Sequence, residues 1–436
     1  MDRRKCLQTI AATGAVATSG CTSLLTSDPE QGTNPEQGTN LEQGTNPEKP
    51  DNGSERADPS SERSDSSTEK QGSDSVGSGT NADPPSSRSR PVLSGMFNGE
   101  SSPELGVVEE WLDDKPAVVV TYIDALADES WIETFIETRM TPIWNAGHVP
   151  MLTWQPLITS EETPEDIEVR IANGAFDDTI ERWAKSLESW VFPQGSKTTD
   201  CRRFYLRPAD EMNGSWYPWS AANDETGEAM TARTGSPGDY VRMWQRVHDA
   251  FSRTAMDADD IQWIWCPNAD QAGGVRTERY YPGDEYVDWI GLDGFNYGDT
   301  EEYSTWLTPE ERFGPMIGRM KQLADKPLCL PEVGTTSYVD GAFRPERKAT
   351  WIEKLLTFVN AADIEMVCWY NFDDTGAWES DWAVFGGARG TSTYRATGEP
   401  HEVYDAYRRE IRRPSTRNAR PDHSRVLTDG EFTGRL

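Results

Sequence analysis

From Pro91 onward the chain alternates two hydrophobic rhythms. Short runs rich in β-branched and aromatic residues, such as AVVVTYID from Ala117 and IQWIWCPN from Ile261, are separated by longer segments. In those segments apolar positions recur every three to four residues, as in DESWIETFIETRMTPIWNAG and PERKATWIEKLLTFVN. The first pattern predicts strands and the second predicts amphipathic helices. Eight strand candidates begin at Val92, Ala117, His148, Arg203, Ile261, Val287, Pro327 and Glu365. Their nearly continuous apolar character is that of parallel strands buried on both faces. Eight such strands alternating with helices over about 320 residues predict an α/β fold, a (β/α)8 TIM barrel. A doubly wound open sheet competes with it, but no glycine-rich phosphate turn follows the first strand. The barrel domain is expected to span 91–412, closing with the YRREIRR helix at Tyr407, and 413–436 is expected to be a flexible tail.

The first 90 residues carry neither rhythm. Residues 1–21 read as an export signal: Arg3 and Arg4 precede an apolar run from Leu7 to Ala17, and the segment ends in TSGC at Cys21. Twin arginines before a run too short to span a membrane mark a twin-arginine type signal. TSGC is lipobox-like, which makes Cys21 the expected site of a lipid anchor and the protein an extracellular, cell-surface lipoprotein. Residues 22–90 repeat EQGTN three times and are otherwise rich in Ser, Gly, Asp and Pro. So polar a segment cannot offset the entropy of ordering, and it is expected to be a disordered linker.

Charge narrows the function classes. With 74 Asp+Glu against 42 Lys+Arg the formal charge is −32. Such a surface repels nucleic acid and anionic lipid headgroups. Only ten of the cations are lysine, and abundant carboxylates with scarce lysine suit a halophilic protein whose self-repulsion is screened by salt. The four histidines and the cysteines show no metal-ligand spacing, so no metal and no cofactor is expected. Cys266, Cys329 and Cys368 sit in apolar runs and are expected to be small core hydrophobes. A monomer is expected.

In a barrel the chemistry lies at the carboxyl ends of the strands. Those ends carry Asp210 and Glu211 on the fourth, Asp293 and Tyr297 on the sixth, Glu332 on the seventh, and Trp369, Asn371 and Asp373 on the eighth. Trp154 and Gln155 close the third. Paired carboxylates are what glycoside hydrolysis needs, one to protonate the leaving oxygen and one to attack or to activate water. Indole and phenol faces match the apolar faces of sugar rings. Two readings stay open on position alone: a catalytic pair, or halophilic surface acids and partners of Arg207. Trp263 and Trp265, inside the fifth strand, are expected in the core.

The segment RPADEMNGSWYPW from Arg207 resembles the RPxHEMNGxWYPW signature of glycoside hydrolase family 26, best known for β-mannanases. YYPGDEYVDWIGLDGFNYG, PEVGT at Pro331 and CWYNFDD resemble that family's later segments, in the right order, across about residues 91–410. The resemblance implies a secreted endo-β-glycanase that hydrolyses β-1,4-mannan-type polysaccharide by retaining double displacement. A β-1,3-1,4-glucanase or xylanase of the same family and a non-catalytic polysaccharide-binding lipoprotein are the alternatives. It makes Glu211 the general acid/base and Glu332 the nucleophile. It places Trp216 and Trp369 against sugar rings and has Arg207 keep a carboxylate ionised through a charge-assisted hydrogen bond. Arg207, Asp210, Asn213, Tyr297 and, from its place at the end of the third strand, Trp154 are expected around the substrate. Two positions depart from the pattern: Asp210 stands where the family usually has histidine, and Phe295 where it tends to have tyrosine.

Overall fold

Alternation of side chains along a strand decides which residues fill the barrel and which meet the helices. The computed structural model describes residues 91–99, 104–159, 162–199, 201–221, 235–301, 303–375 and 380–436. The expected export signal and linker lie outside these described residues. The strands are β1 (Val92–Asn98), β2 (Val118–Asp124), β3 (Val149–Gln155), β4 (Phe204–Pro208) and β5 (Ile261–Trp265). β6 runs in two pieces, Trp289–Gly291 and Gly294–Asn296, followed by β7 (Leu328–Thr335) and β8 (Ile364–Asn371). Each pairs in parallel with its neighbour, and β8 pairs with both β7 and β1, so the sheet closes into the expected (β/α)8 barrel. Helices such as Asp177–Val191, Pro237–Phe251 and Pro345–Ala361 cover its outside. Between β5 and β6 the described residues hold only short 3-10 turns, at Thr277–Tyr280 and Asp284–Tyr286. No helix among the described residues is long and apolar enough to cross a membrane.

Odd positions of β1 and even positions of β8 fill the lumen, where Leu93, Phe97, Met366, Cys368 and Tyr370 pack together. Gly95 lies among them because a Cβ there would come within 2.3 Å of Cys368 Sγ. Cys266, Cys329 and Cys368 are free, buried and part of this lumen core, as expected of small apolar side chains. Trp263 and Trp265 are buried on the helix side, as their strand interior position implied.

A bulge sets the phase of β7. Val367 pairs with Leu330 and Trp369 with Val333, so β7 holds one residue more than β8 between these rungs. Leu330 and Val333 therefore both face the helices, while Glu332 between them turns into the lumen. Pro331 lies in the bulge, where its missing N–H costs the ladder little.

The end of the chain corrects the sequence-based expectation. Residues 413–436 are not a loose tail but fold against the amino end of the barrel. Thr416 and Arg417 pair with β1, and Leu427 and Phe432 are fully buried in the lumen core. Tyr205 donates its hydroxyl to Phe432 O at 3.1 Å, and Arg203 donates to Asp429 Oδ1 at 2.6 Å. Thr428 and Glu431 form a capping box on the turn that carries Phe432. An open barrel end would wet Tyr205 and Trp289, and burying them in this floor is worth on the order of 2 kcal/mol per large side chain.

Candidate active site

β4 brings Arg207 to a lumen-facing position two residues after Tyr205, and its guanidinium is fully buried. Every strong bond it makes reaches another wall. Nε and Nη2 donate to Thr153 Oγ1 of β3 at 3.0 and 2.7 Å. Nη1 donates to Asp293 Oδ2 at 2.6 Å, and Nη2 also donates to Glu332 Oε1. Burial works against the charge of Arg207, and the carboxylates of Asp293 and Glu332 more than restore it. Asp210, Asp293 and Glu332 each bring one oxygen within 4.8 Å of the others. Such a trio suits a cation, and the cation it faces is the guanidinium itself. Burial above all pushes Asp293 well above the ordinary carboxylate range against the pull of Arg207, with Glu332 and Glu211 adding to the push.

Beyond Pro208 the chain turns sharply. Ala209 and Glu211 take φ of 46° and 53°, a left-handed conformation that side-chain-bearing residues avoid unless held. Glu211 N donates to Cys266 O at 2.8 Å and Gly214 N to Glu211 O at 2.9 Å, which holds it. The turn aims the Glu211 carboxylate between two neutral donors. Trp216 Nε1 donates to Oε2 at 2.7 Å and Asn268 Nδ2 to Oε1 at 2.7 Å. Asn268 is held in turn by Asn213, whose Oδ1 accepts from Asn268 N at 2.7 Å and whose Nδ2 donates to Asn268 O at 2.8 Å.

Asp210 is buried between the two glutamates' surroundings. Gln155 Nε2 donates to its Oδ1 at 3.3 Å and to Tyr217 Oη at 2.8 Å. Trp219 stacks on Tyr217 with ring centroids 4.3 Å apart and donates Nε1 to Asp210 O at 2.8 Å. Burial chiefly, opposed by Arg207 and reinforced by Glu332 and Glu211, pushes the Asp210 carboxyl up to about 7.

Glu211, Glu332, Arg207, Asp210 and Trp216 thus share one site at the carboxyl end of the barrel. Tyr297 stands half-buried on the rim, with Trp382 edge-on to it at 5.2 Å. Phe295 fills the space beneath, between Tyr370 at 5.3 Å and Trp382 at 5.0 Å.

Three expected substrate contacts lie elsewhere. Trp369 points into the helix layer, where its ring meets Tyr407 at 5.6 Å and Trp351 at 6.3 Å. Trp154 is buried on that side too. Both have the wrong phase: Tyr370 beside Trp369, and Thr153 and Gln155 on either side of Trp154, are the lumen residues. Asn213 is committed to Asn268, Asp270 and Thr277, one layer behind the site. Asn268 and Trp382 were not singled out from the sequence, and Asp293 was noted without a role. The PNAD segment, polar directly after a strand, was the available sign of Asn268.

Residues 203–308 match the model of Glycosyl hydrolase family 26. Endoglucanase H of Acetivibrio thermocellus is 25% identical over 280 residues, 64% of this chain and 27% of that protein. A mannan endo-1,4-beta-mannosidase of Bacillus subtilis is 22% identical over 223 residues, 47% of this chain and 59% of that protein. The match thus spans about a quarter of the first relative's length and under two thirds of the second's. The catalytic domain of an endo-beta-1,4-mannanase from Bacillus sp. JAMB-750 shares the fold, with a TM-score of 0.52 at 14% identity, over 76% of this chain and 88% of that one.

Proposed function

Since the chain belongs to glycosyl hydrolase family 26, we propose that it is an endo-β-glycanase that hydrolyses β-1,4-mannan-type polysaccharide with retention of configuration. The observation that carries this is the unequal setting of its two glutamates. Glu332 is bonded to the guanidinium of Arg207, a setting that suits a group attacking the anomeric carbon as an anion. The Glu211 carboxylate accepts from the neutral N–H groups of Trp216 and Asn268, which suits a group that gives up a proton and takes it back. In the first step Glu211 protonates the glycosidic oxygen as Glu332 bonds to the anomeric carbon. In the second, Glu211 takes a proton from water, which displaces Glu332.

The names of two relatives support the mannan and glucan ends of the substrate range. Reducing-end release from glucomannan, galactomannan, barley β-glucan and xylan in molar salt tests the assignment. Release from mannans, abolished in Glu332→Ala, is the expected result. Release from β-glucan or xylan alone makes it a glucanase or xylanase, and binding without release leaves the lectin-like reading. The anomer formed first, read by proton NMR, tests retention. Export by the twin-arginine type signal, a lipid anchor at Cys21 and a halophilic, extracellular setting complete the proposal. Cys21→Ala is expected to move the protein from the membrane fraction to the medium.

A further inference from the structure

The exit of β2 holds two polar groups that the proposed chemistry leaves unused. Tyr122 and Asp124 lie two residues apart on one face of the strand, and Ile123 between them packs on the helix side. Their face is the lumen. The Tyr122 ring meets Phe97 edge-on at 4.9 Å and has the Arg207 guanidinium 5.7 Å from its centre. Its buried hydroxyl has no hydrogen-bond partner among the described residues.

Asp124 pairs in register with Gln155, whose amide is already committed to Asp210 and Tyr217. It therefore stands on the rim one strand beyond the Asp210 group. Its half-buried carboxylate makes no ion pair or side-chain hydrogen bond to the described residues, and burial alone pushes it up to about 6. A polar group in that condition is costly unless something supplies donors. Tyr122 lies at the depth of Arg207 and Glu332, and Asp124 is about 6.6 Å nearer the mouth along the strand. From there it faces the mouth of the barrel on the far side of Gln155 from Asp210, toward which a sugar chain held at the two glutamates would extend.

Resting on the glycanase reading, we propose that Asp124 is a specificity-determining residue that accepts hydrogen bonds from hydroxyls of the sugar unit next to the one being cleaved. A charged acceptor on hydroxyl donors is among the stronger neutral-ligand contacts. A site built around it rejects sugars whose hydroxyls point elsewhere.

The test uses the full chain in molar salt, as wild type, Asp124→Asn and Asp124→Ala, on β-1,4-mannooligosaccharides of two to six units. Binding of mannohexaose to Glu332→Ala, with and without Asp124→Ala, is followed by calorimetry. The expected result is a KM for mannohexaose raised about tenfold or more in Asp124→Ala, with kcat within twofold and a smaller effect on the disaccharide. Equal KM at every length, or a fall in kcat with KM unchanged, overturns the proposal. Binding that weakens with Asp124→Ala while no oligosaccharide is cut sinks the hydrolase reading and keeps this one. No binding to mannohexaose in any form overturns both.

Discussion

The side-chain amide of Asn268 donates to Oε1 of Glu211 at 2.7 Å, and Asn213 fixes that amide by bonding the Asn268 backbone on both sides. The proposed acid/base is thus oriented by the loop after β5, not only by its own strained turn. Asn268→Ala frees one carboxylate oxygen and the Asp270 N–H that donates to the Asn268 Oδ1. It should lower kcat about tenfold with little change in KM and a melting loss smaller than that of Asn213→Ala. Asn213→Ala leaves buried carbonyls unmatched and should also cost about 1–3 kcal/mol in stability. Kinetics and urea melts on both variants check this, and equal melting losses for the two would contradict it.

Arg207 faces a harder substitution. Removing it leaves Asp293 and Glu332 buried without their cation, a loss of about 3–5 kcal/mol for a broken buried pair. Arg207→Lys keeps the charge but cannot reach Thr153, Asp293 and Glu332 together, since an ammonium lacks the planar fork. The expected outcome is a folded but weakened Arg207→Lys variant, with kcat down at least a hundredfold, and Arg207→Met largely unfolded. Denaturation midpoints and initial rates decide it.

The barrel and its charged rim were legible because each strand is a continuous apolar run and because the chemistry clusters where such runs stop. The RPADEMNG segment announced Arg207, Asp210 and Glu211 together, since strand and strained turn are contiguous there. Lumen phase was harder to read. In β8 both faces are apolar, so nothing in CWYN says that Tyr370 and not Trp369 looks inward. In β3 the sign was present, since polar Thr153 and Gln155 flank Trp154 and mark the lumen side. The bulge at Pro331, which turns Glu332 inward, has no periodic signature. The floor residues Leu427 and Phe432 sit singly in a polar segment and gain their burial only from strands more than 200 residues away, Tyr205 among them.

The two indoles at the end of the barrel should separate cleanly. Trp369 packs among helix residues and donates Nε1 to Trp382 O at 2.9 Å, so Trp369→Ala is a core deletion worth about 3–5 kcal/mol. It should lower the melting point and leave KM near its normal value. Trp382 is buried in the lumen core but packs edge-on to Tyr297 of the rim, so Trp382→Ala should lower the melting point comparably and, unlike Trp369→Ala, also raise KM for polysaccharide several-fold. Matched thermal melts and Michaelis curves distinguish these patterns. A KM effect confined to Trp369→Ala would return that ring to the substrate side.

Asp210 ties stability to pH. Its carboxyl is held near 7 in the folded protein, mainly by burial with Glu332 and Glu211 adding to it, against an ordinary value of 3.8. As pH rises from 4 to 7 the unfolded chain releases this proton first, so the unfolded state binds fewer protons and the folded state loses stability. Each unit of such a shift is worth about 1.4 kcal/mol. Asp210→Asn keeps the shape and the bond to Gln155 but cannot ionise. The two proteins should therefore be closest in stability near pH 4, and the variant should pull ahead steadily up to pH 7 and stay ahead above it. Above pH 7 the wild type also places a new negative charge beside the two glutamates, so its kcat/KM should fall through a limb near 7 that Asp210→Asn lacks. Urea melts and rates from pH 4 to 8 in molar salt test both parts. Parallel stability curves for the two proteins would show that Asp210 titrates where an exposed aspartate does.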